Sequence, residues 1–295
     1  MFLSIITTIC IGCWQSVGSN AHLARFEDTN MNVTLQPTPT TTQKGDFYKN
    51  LPKDFVMPTD DVGLLLLREY GAMLVASDGI KSPTKVIFFD QAEVKAYQKT
   101  LKTETGKIGD FTITLQKSAF KALKEAVAAA KKKGLTVAPR KAGSAERDYL
   151  VTETNWKSRV VGGFQHWKND PRIKKGEANR IMALAPRDQV ADILALEKKG
   201  LLFSQQNKKS IIYSVAVPGA SQHIAMLALD ISKFNDRDVI QIMNDHGWFQ
   251  TVTTDLPHFT YLGVKKNELP SLGLVEVEVT DPESGDTRKY WKPSI

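Results

Sequence analysis

The run Leu227-Ala228-Leu229-Asp230-Ile231 places one carboxylate in the middle of an otherwise apolar strand. Such a strand belongs in a core, where a carboxylate is costly unless a counter-charge or a metal ion meets it. A metal and a buried salt bridge are both adequate answers, and the run alone leaves both open. Its neighbours narrow the choice. His223 lies seven residues before Asp230, and Asp255-Leu256-Pro257-His258 adds a second imidazole with a carboxylate three residues ahead of it. Two His and one Asp with a fourth position open form the donor set of a catalytic zinc site rather than a structural one. A spare carboxylate beside such a metal is what water activation requires. Pro218-Gly219-Ala220 supplies a turn just before Ser221-Gln222-His223.

A chain of 295 residues, 42% hydrophobic and 24% charged, can bury a sizeable core. Its net charge of +7 predicts affinity for anionic surroundings, nucleic acid or an acidic cell envelope. The densest basic run, Lys131-Lys132-Lys133, follows an alanine-rich amphipathic stretch and reads as the solvated end of a helix. No basic block with interleaved aromatics accompanies it, so no nucleic-acid partner is expected.

The first 21 residues carry no charged side chain, and Ser19-Asn20-Ala21 sets small residues at the −3 and −1 positions of a signal-peptidase site. Residues 1–21 are therefore predicted to be a signal peptide of an exported, periplasmic or cell-envelope protein. The apolar stretch Phe2 to Trp14 is shorter than the ~20 residues a spanning helix needs. Membrane contact is expected only through an uncleaved or lipidated N-terminus. Ile11-Gly12-Cys13 is similar to a bacterial lipobox, which makes a lipoprotein anchored at Cys13 the alternative. Both cysteines, Cys10 and Cys13, fall in this segment. Its removal would leave no thiol for a disulfide, a metal or a nucleophile. Residues 22–50, rich in Thr, Pro, Gln and Asn, read as a flexible tether to one domain over 51–295.

Within that domain, helices are predicted over 62–70, 92–101, 118–133 and 186–199, the third with Phe120, Leu123, Val127 and Ala130 on one face and Gly134 as its stop. Strands are predicted at 86–89, 111–115, 135–138, 211–217, 227–231 and 259–262. The expected class is α+β: a mostly antiparallel sheet flanked by helices, with loops carrying the chemistry.

The two motifs resemble those of a known family. Ser221-Gln222-His223 followed by Asp230 resembles the Ser-x-His-(six residues)-Asp motif of the D-alanyl-D-alanine carboxypeptidase and Hedgehog superfamily. Asp255-Leu256-Pro257-His258-Phe259-Thr260-Tyr261 is similar to its second motif, and Ser144-Ala145-Glu146-Arg147 to its Ser-x-x-Arg segment. The resemblance spans about residues 135–263, the expected catalytic core. It implies a Hedgehog/D-Ala-D-Ala-peptidase-like fold and one zinc ion per chain, held by His223, Asp230 and His258. It also implies Asp255 as general base and Arg147 as the substrate-binding, oxyanion-stabilising arginine. The activity implied is hydrolysis of peptidoglycan stem peptides by a monomeric D,D- or L,D-carboxypeptidase. An endolysin-type endopeptidase and a non-catalytic wall-binding module that keeps the fold are the alternatives. Asp255 stands where peptidases of the vancomycin-resistance type carry Glu and some phage endolysins carry Asp. Thr152 stands where a Gln often follows the arginine by five residues.

Ser221 is expected to bind substrate or steady a ligand, and His246 to contact substrate, with helix capping as its competing role. His166-Trp167 and Tyr261 read as packing. Nothing in the sequence separates Arg159, Arg172 and Arg180 from ordinary surface charges.

Overall fold

A computed structural model describes residues 47–77 and 79–295 of the chain. The expected signal peptide, Cys13 and the expected tether as far as residue 46 lie outside the described residues. Phe47–Asn50, expected to end the tether, instead form a 3-10 turn with Phe47 in the core, so the described fold starts four residues before the expected Leu51. In chain order the elements are α1 (Asp61–Tyr70), α2 (Gln91–Lys99), β1 (Thr103–Ile108), β2 (Phe111–Gln116), α3 (Lys117–Lys132), α4 (Tyr149–His166), α5 (Glu177–Met182) and α6 (Pro186–Glu197). There follow β3 (Ala228–Asp230), α7 (Arg237–Asp245), β4 (Trp248–Phe249), β5 (His258–Tyr261), β6 (Leu274–Thr280) and β7 (Thr287–Pro293).

Local chemistry sets the helix starts. Asp60, Asp90, Asp148 and Asp236 each accept a backbone N–H from the first turn of α1, α2, α4 and α7. A cap of this kind is worth about 1 kcal/mol. α3 buries Phe120, Leu123, Ala126 and Ala130 and ends before Gly134, which takes φ +71°. Complete burial of Phe120 or Leu123 contributes roughly 1.5–3 kcal/mol. α4 was not legible as a helix because its buried stripe, Thr152, Trp156, Val160, Gly163 and Phe164, contains a Thr and a Gly. Gly163 is there for space: a Cβ would sit 2.2 Å from the Phe203 ring.

The architecture is α+β with helices flanking small antiparallel sheets. The single sheet expected from the sequence is instead three: β1-β2, β3-β5-β4 and β6-β7. The central sheet cannot widen past β3, because residues 139–144 cover that edge as a loop. Arg140 N–H donates to the Asp230 carbonyl, and Asp230 N–H donates to that of Ser144, each at 2.9 Å. Residues 135–138 accordingly form no strand, only a bridge at Pro139–Ile231.

Two other predicted strands fail for a related reason. Residues 86–89 run without a ladder, although Phe88 N–H donates to the Gly219 carbonyl at 3.0 Å. Ile211–Tyr213 is a 3-10 turn. The Ile211 N–H goes to the Glu197 carboxylate (2.7 Å) rather than to a neighbouring strand. A β-branched run records burial as much as backbone preference, and here it records burial alone. Among the described residues no helix is long and apolar enough to cross a membrane.

Gly219 shows how tightly the approach to the site is built. It takes φ +83°, and a Cβ there would lie 1.8 Å from the Phe88 carbonyl oxygen. We expect Gly219→Ala to cost about 3 kcal/mol or more. In thermal unfolding this appears as a loss of roughly 6–12 °C in Tm; an unchanged Tm would show that the two segments can separate freely.

Candidate metal centre

The centre is assembled by strand register. β3 and β5 pair with Asp230 directly opposite His258, Leu229 opposite Phe259 and Ala228 opposite Thr260. Asp230 spends both backbone groups on residues 140 and 144, so Asp230–His258 is a non-hydrogen-bonded pair, the type whose side chains approach most closely. His223 arrives from the short 3-10 turn Gln222–Ala225 that leads into β3. Its Nε2 and the Nδ1 of His258 each lie 3.3 Å from the same oxygen, Asp230 Oδ1. The imidazole rings meet edge to face, with centroids 4.9 Å apart, and all three residues are buried.

Hydrogen bonds on the far side of each ring decide which nitrogens face inward. His223 Nδ1 is 2.6 Å from the Ala145 carbonyl, and His258 Nε2 is 2.8 Å from Gln222 Oε1. A carbonyl oxygen only accepts, so each of these nitrogens carries the proton. His223 Nε2 and His258 Nδ1 therefore present lone pairs to a carboxylate oxygen. His223 Nε2 is buried without a hydrogen-bond partner. Three donor atoms within 4.8 Å of one another, with no proton between them, suit a cation. The buried His223–Asp230–His258 group can hold a metal ion.

Gln222 is the residue that sequence reasoning passed over. Lying between the Ser and His of its motif, it also accepts from Thr260 Oγ1 and donates to the Tyr70 carbonyl (2.9 Å), tying the orientation of His258 to α1. Arg147 takes the other oxygen of Asp230 at 2.7 Å and donates through Nε to the Gly143 carbonyl at 3.2 Å. Arg147 N–H also donates to the His223 carbonyl at 3.3 Å. The segment 139–147 thus grips two of the three donors.

The electrostatics follow from burial. Burial pushes the His223 pKa down to about 4, and the Arg147 guanidinium adds to the effect. Burial opposes ionisation of Asp230 as well; when the rings are protonated, the charge and N–H groups of His223 and then His258 outweigh it and hold the carboxyl well below its ordinary range. Asp255 moves the other way: burial and the negative charge of Asp230 raise it.

Asp255 shares the cleft with the three donors, Arg147 and Ser221. Its carboxylate accepts no hydrogen bond and forms no ion pair with any described residue. The loop carrying it is braced from below. Buried Lys292 donates to the Thr251 carbonyl at 3.4 Å while paired with Glu69 at 2.9 Å. Buried Lys209 donates to the Thr254 carbonyl at 3.1 Å while paired with Asp281 at 3.3 Å. Thr254 itself holds φ +55°, a conformation that a β-branched residue adopts only when its surroundings insist.

The remaining expectations divide. His246 does not line the cleft; it closes α7, with Nδ1 2.7 Å from the Ile242 carbonyl, so its capping role replaces the expected substrate contact. His166 stacks edge-on against Trp167, whose indole N–H donates to the Leu202 carbonyl. Thr152 donates to the Tyr149 carbonyl and accepts from Gly219 N–H, joining α4 to the turn before Ser221. The cleft encloses about 190 Å³, less than the roughly 300–1,000 Å³ of drug-sized ligand pockets.

Comparison with protein-family models, curated proteins and solved structures found no match to this chain. The resemblance noted in the sequence rests on its motifs.

In the metal-free protein the stabilising contribution of neutral His223 should be lost as the pH falls, against the opposite trend of Glu197, whose carboxyl burial pushes up to about 7. With a folded pKa of about 4 against an ordinary 6.5, His223 binds fewer protons than it does in the unfolded chain. Its contribution is complete above about pH 6.5 and is lost on the way down to pH 4, amounting to roughly 3 kcal/mol. Urea unfolding between pH 7 and 4.5 measures the slope, which in wild type should exceed that of His223→Gln by the His223 contribution. An equal slope in the variant would assign the effect to other groups.

Proposed function

We propose that this chain is a zinc peptidase with a fold of the Hedgehog/D-Ala-D-Ala-peptidase type. In this reading it removes the terminal residue of peptidoglycan stem peptides as a D-alanyl-D-alanine or L,D-carboxypeptidase. The observation that carries the reading is the pairing of two inward lone pairs and Asp230 with an uncommitted carboxylate, Asp255, in one open cleft. Two neutral imidazoles and one carboxylate are a donor set suited to zinc. A zinc ion bound there would supply Lewis acidity and lower the pKa of a coordinated water to about 7.

The chain's own residues account for the rest. The Asp255 carboxylate takes the proton of the attacking water and returns it to the leaving amine. Its raised pKa eases that return. Arg147 holds Asp230 through one Nη, and the N–H groups left over on its guanidinium meet the charge that develops on the substrate carbonyl. Ser221, buried at the start of the His223 turn, lines the cleft where it can orient the peptide. A net charge of +7 suits an anionic wall, and the apolar N-terminal segment would direct the chain to the envelope.

Zinc-loaded and desalted, the protein should retain one zinc per chain by elemental analysis, and His258→Gln or Asp230→Asn should retain almost none. Asp255→Asn should keep its zinc yet release terminal D-alanine from muropeptides at least about 100-fold more slowly, as followed by mass spectrometry. Undiminished release by that variant sinks the assignment of the base. Shortened stems without loss of terminal alanine would identify an endopeptidase instead.

A further inference from the structure

The three arginines that looked alike in sequence do not behave alike. Arg172 is paired with Asp170 at 2.7 Å and Arg180 with Asp192 at 2.9 Å, both on the exterior. Arg159 faces the cleft and forms no ion pair with any described residue. Its guanidinium has five N–H donors, and those with partners meet only neutral oxygens: Ser214 Oγ at 3.1 Å, Ser158 Oγ at 3.1 Å and Gln205 Oε1 at 3.4 Å. Glu283, the carboxylate whose charge it feels, is already engaged by Lys209 at 3.4 Å and Ser204 at 2.5 Å. Partial burial penalises the Arg159 charge, and an anion would relieve that penalty.

Its position adds direction. Arg147 precedes α4 and Arg159 lies three turns along it, with Asn155 one turn back on the same face, and all three line one cleft. At 1.5 Å per residue, and with helical side chains leaning toward the N-terminus, the guanidinium stands roughly 10–15 Å from the metal end. An extended peptide covers that in about three or four residues. The cleft holds four cations, Arg140, Lys141, Arg147 and Arg159, against the carboxylates of Asp230 and Asp255, and Asp230 is already bonded to Arg147.

We propose that Arg159 forms a carboxylate-binding subsite, which selects peptides bearing a free carboxylate about three residues on the uncleaved side of the reacting bond. This rests on the reading of the cleft as a peptide site. In a stem pentapeptide the free α-carboxylate of the γ-linked D-glutamate lies at that remove.

The test uses the zinc-loaded full chain carrying Asp255→Asn, so that peptide is not consumed. The probes are the stem pentapeptide and its counterpart with that carboxylate amidated, titrated by calorimetry. The free carboxylate should bind about ten-fold more tightly. Adding Arg159→Gln should bring the two within about two-fold, while Arg159→Lys should keep part of the gap. Equal affinities in the parent protein overturn the subsite without recourse to any Arg159 variant, and so does a gap that survives Arg159→Gln. The proposed activity fails separately: an Arg159-dependent gap in a protein whose wild type hydrolyses neither peptide leaves the subsite in a binding module. Hydrolysis without a gap removes the subsite alone.

Discussion

Everything at the centre of this protein depends on one carboxylate, Asp230. Its two oxygens are divided between opposite duties. One faces the inward nitrogens of His223 and His258, and the other is held by Arg147. A lone ionised carboxylate at this depth would be expelled or protonated. With the Arg147 guanidinium bonded to one oxygen it has a counter-charge, and the other oxygen, facing two imidazole lone pairs, is left for a cation. The arrangement stores no surplus stability, because buried ion pairs roughly offset their own desolvation. What it provides is orientation.

Orientation is enforced by groups on the far side of each donor ring. The Ala145 carbonyl and Gln222 choose the tautomer of each histidine, and Gln222 is in turn fixed by Tyr70, Thr251 and Thr260. Beneath the Asp255 loop, Lys209 and Lys292 each join a buried acidic partner to a loop carbonyl. The positive φ at Thr254 is the backbone cost of turning that loop toward the cleft. Arg159 extends the same logic outward, as a cation left without an internal carboxylate where a peptide would run.

Much of the fold was legible locally. Helices over 62–70, 92–101, 118–133 and 186–199 appear within a few residues of α1, α2, α3 and α6, because an amphipathic period, joined in α1, α2 and α6 by an N-terminal Asp or Pro, acts over a single turn. The strands were less faithful. Residues 227–231 contain β3 and 259–262 overlap β5, which starts one residue earlier at His258, whereas 86–89, 135–138 and 211–217 hold the same residue types without a partner to pair with. A strand exists only if an edge meets it, and edges are tertiary. α4 was hidden because a Thr and a Gly stand in its buried stripe, and Gly163 is chosen by Phe203 from far along the chain.

The sequence by itself determined the donor types. A carboxylate inside an apolar run and two histidines beside carboxylates are unaffordable or idle unless they meet, and that was readable from spacing. Only the tertiary structure decided how they meet. The register of β3 against β5 set Asp230 across from His258, the Ala145 carbonyl and Gln222 turned the lone pairs inward, and α4 carried Arg159 into the cleft while Arg172 and Arg180 stayed outside. Residue identity sets what an atom can donate or accept. Which atoms face one another depends on contacts tens of residues apart, and no local pattern records them.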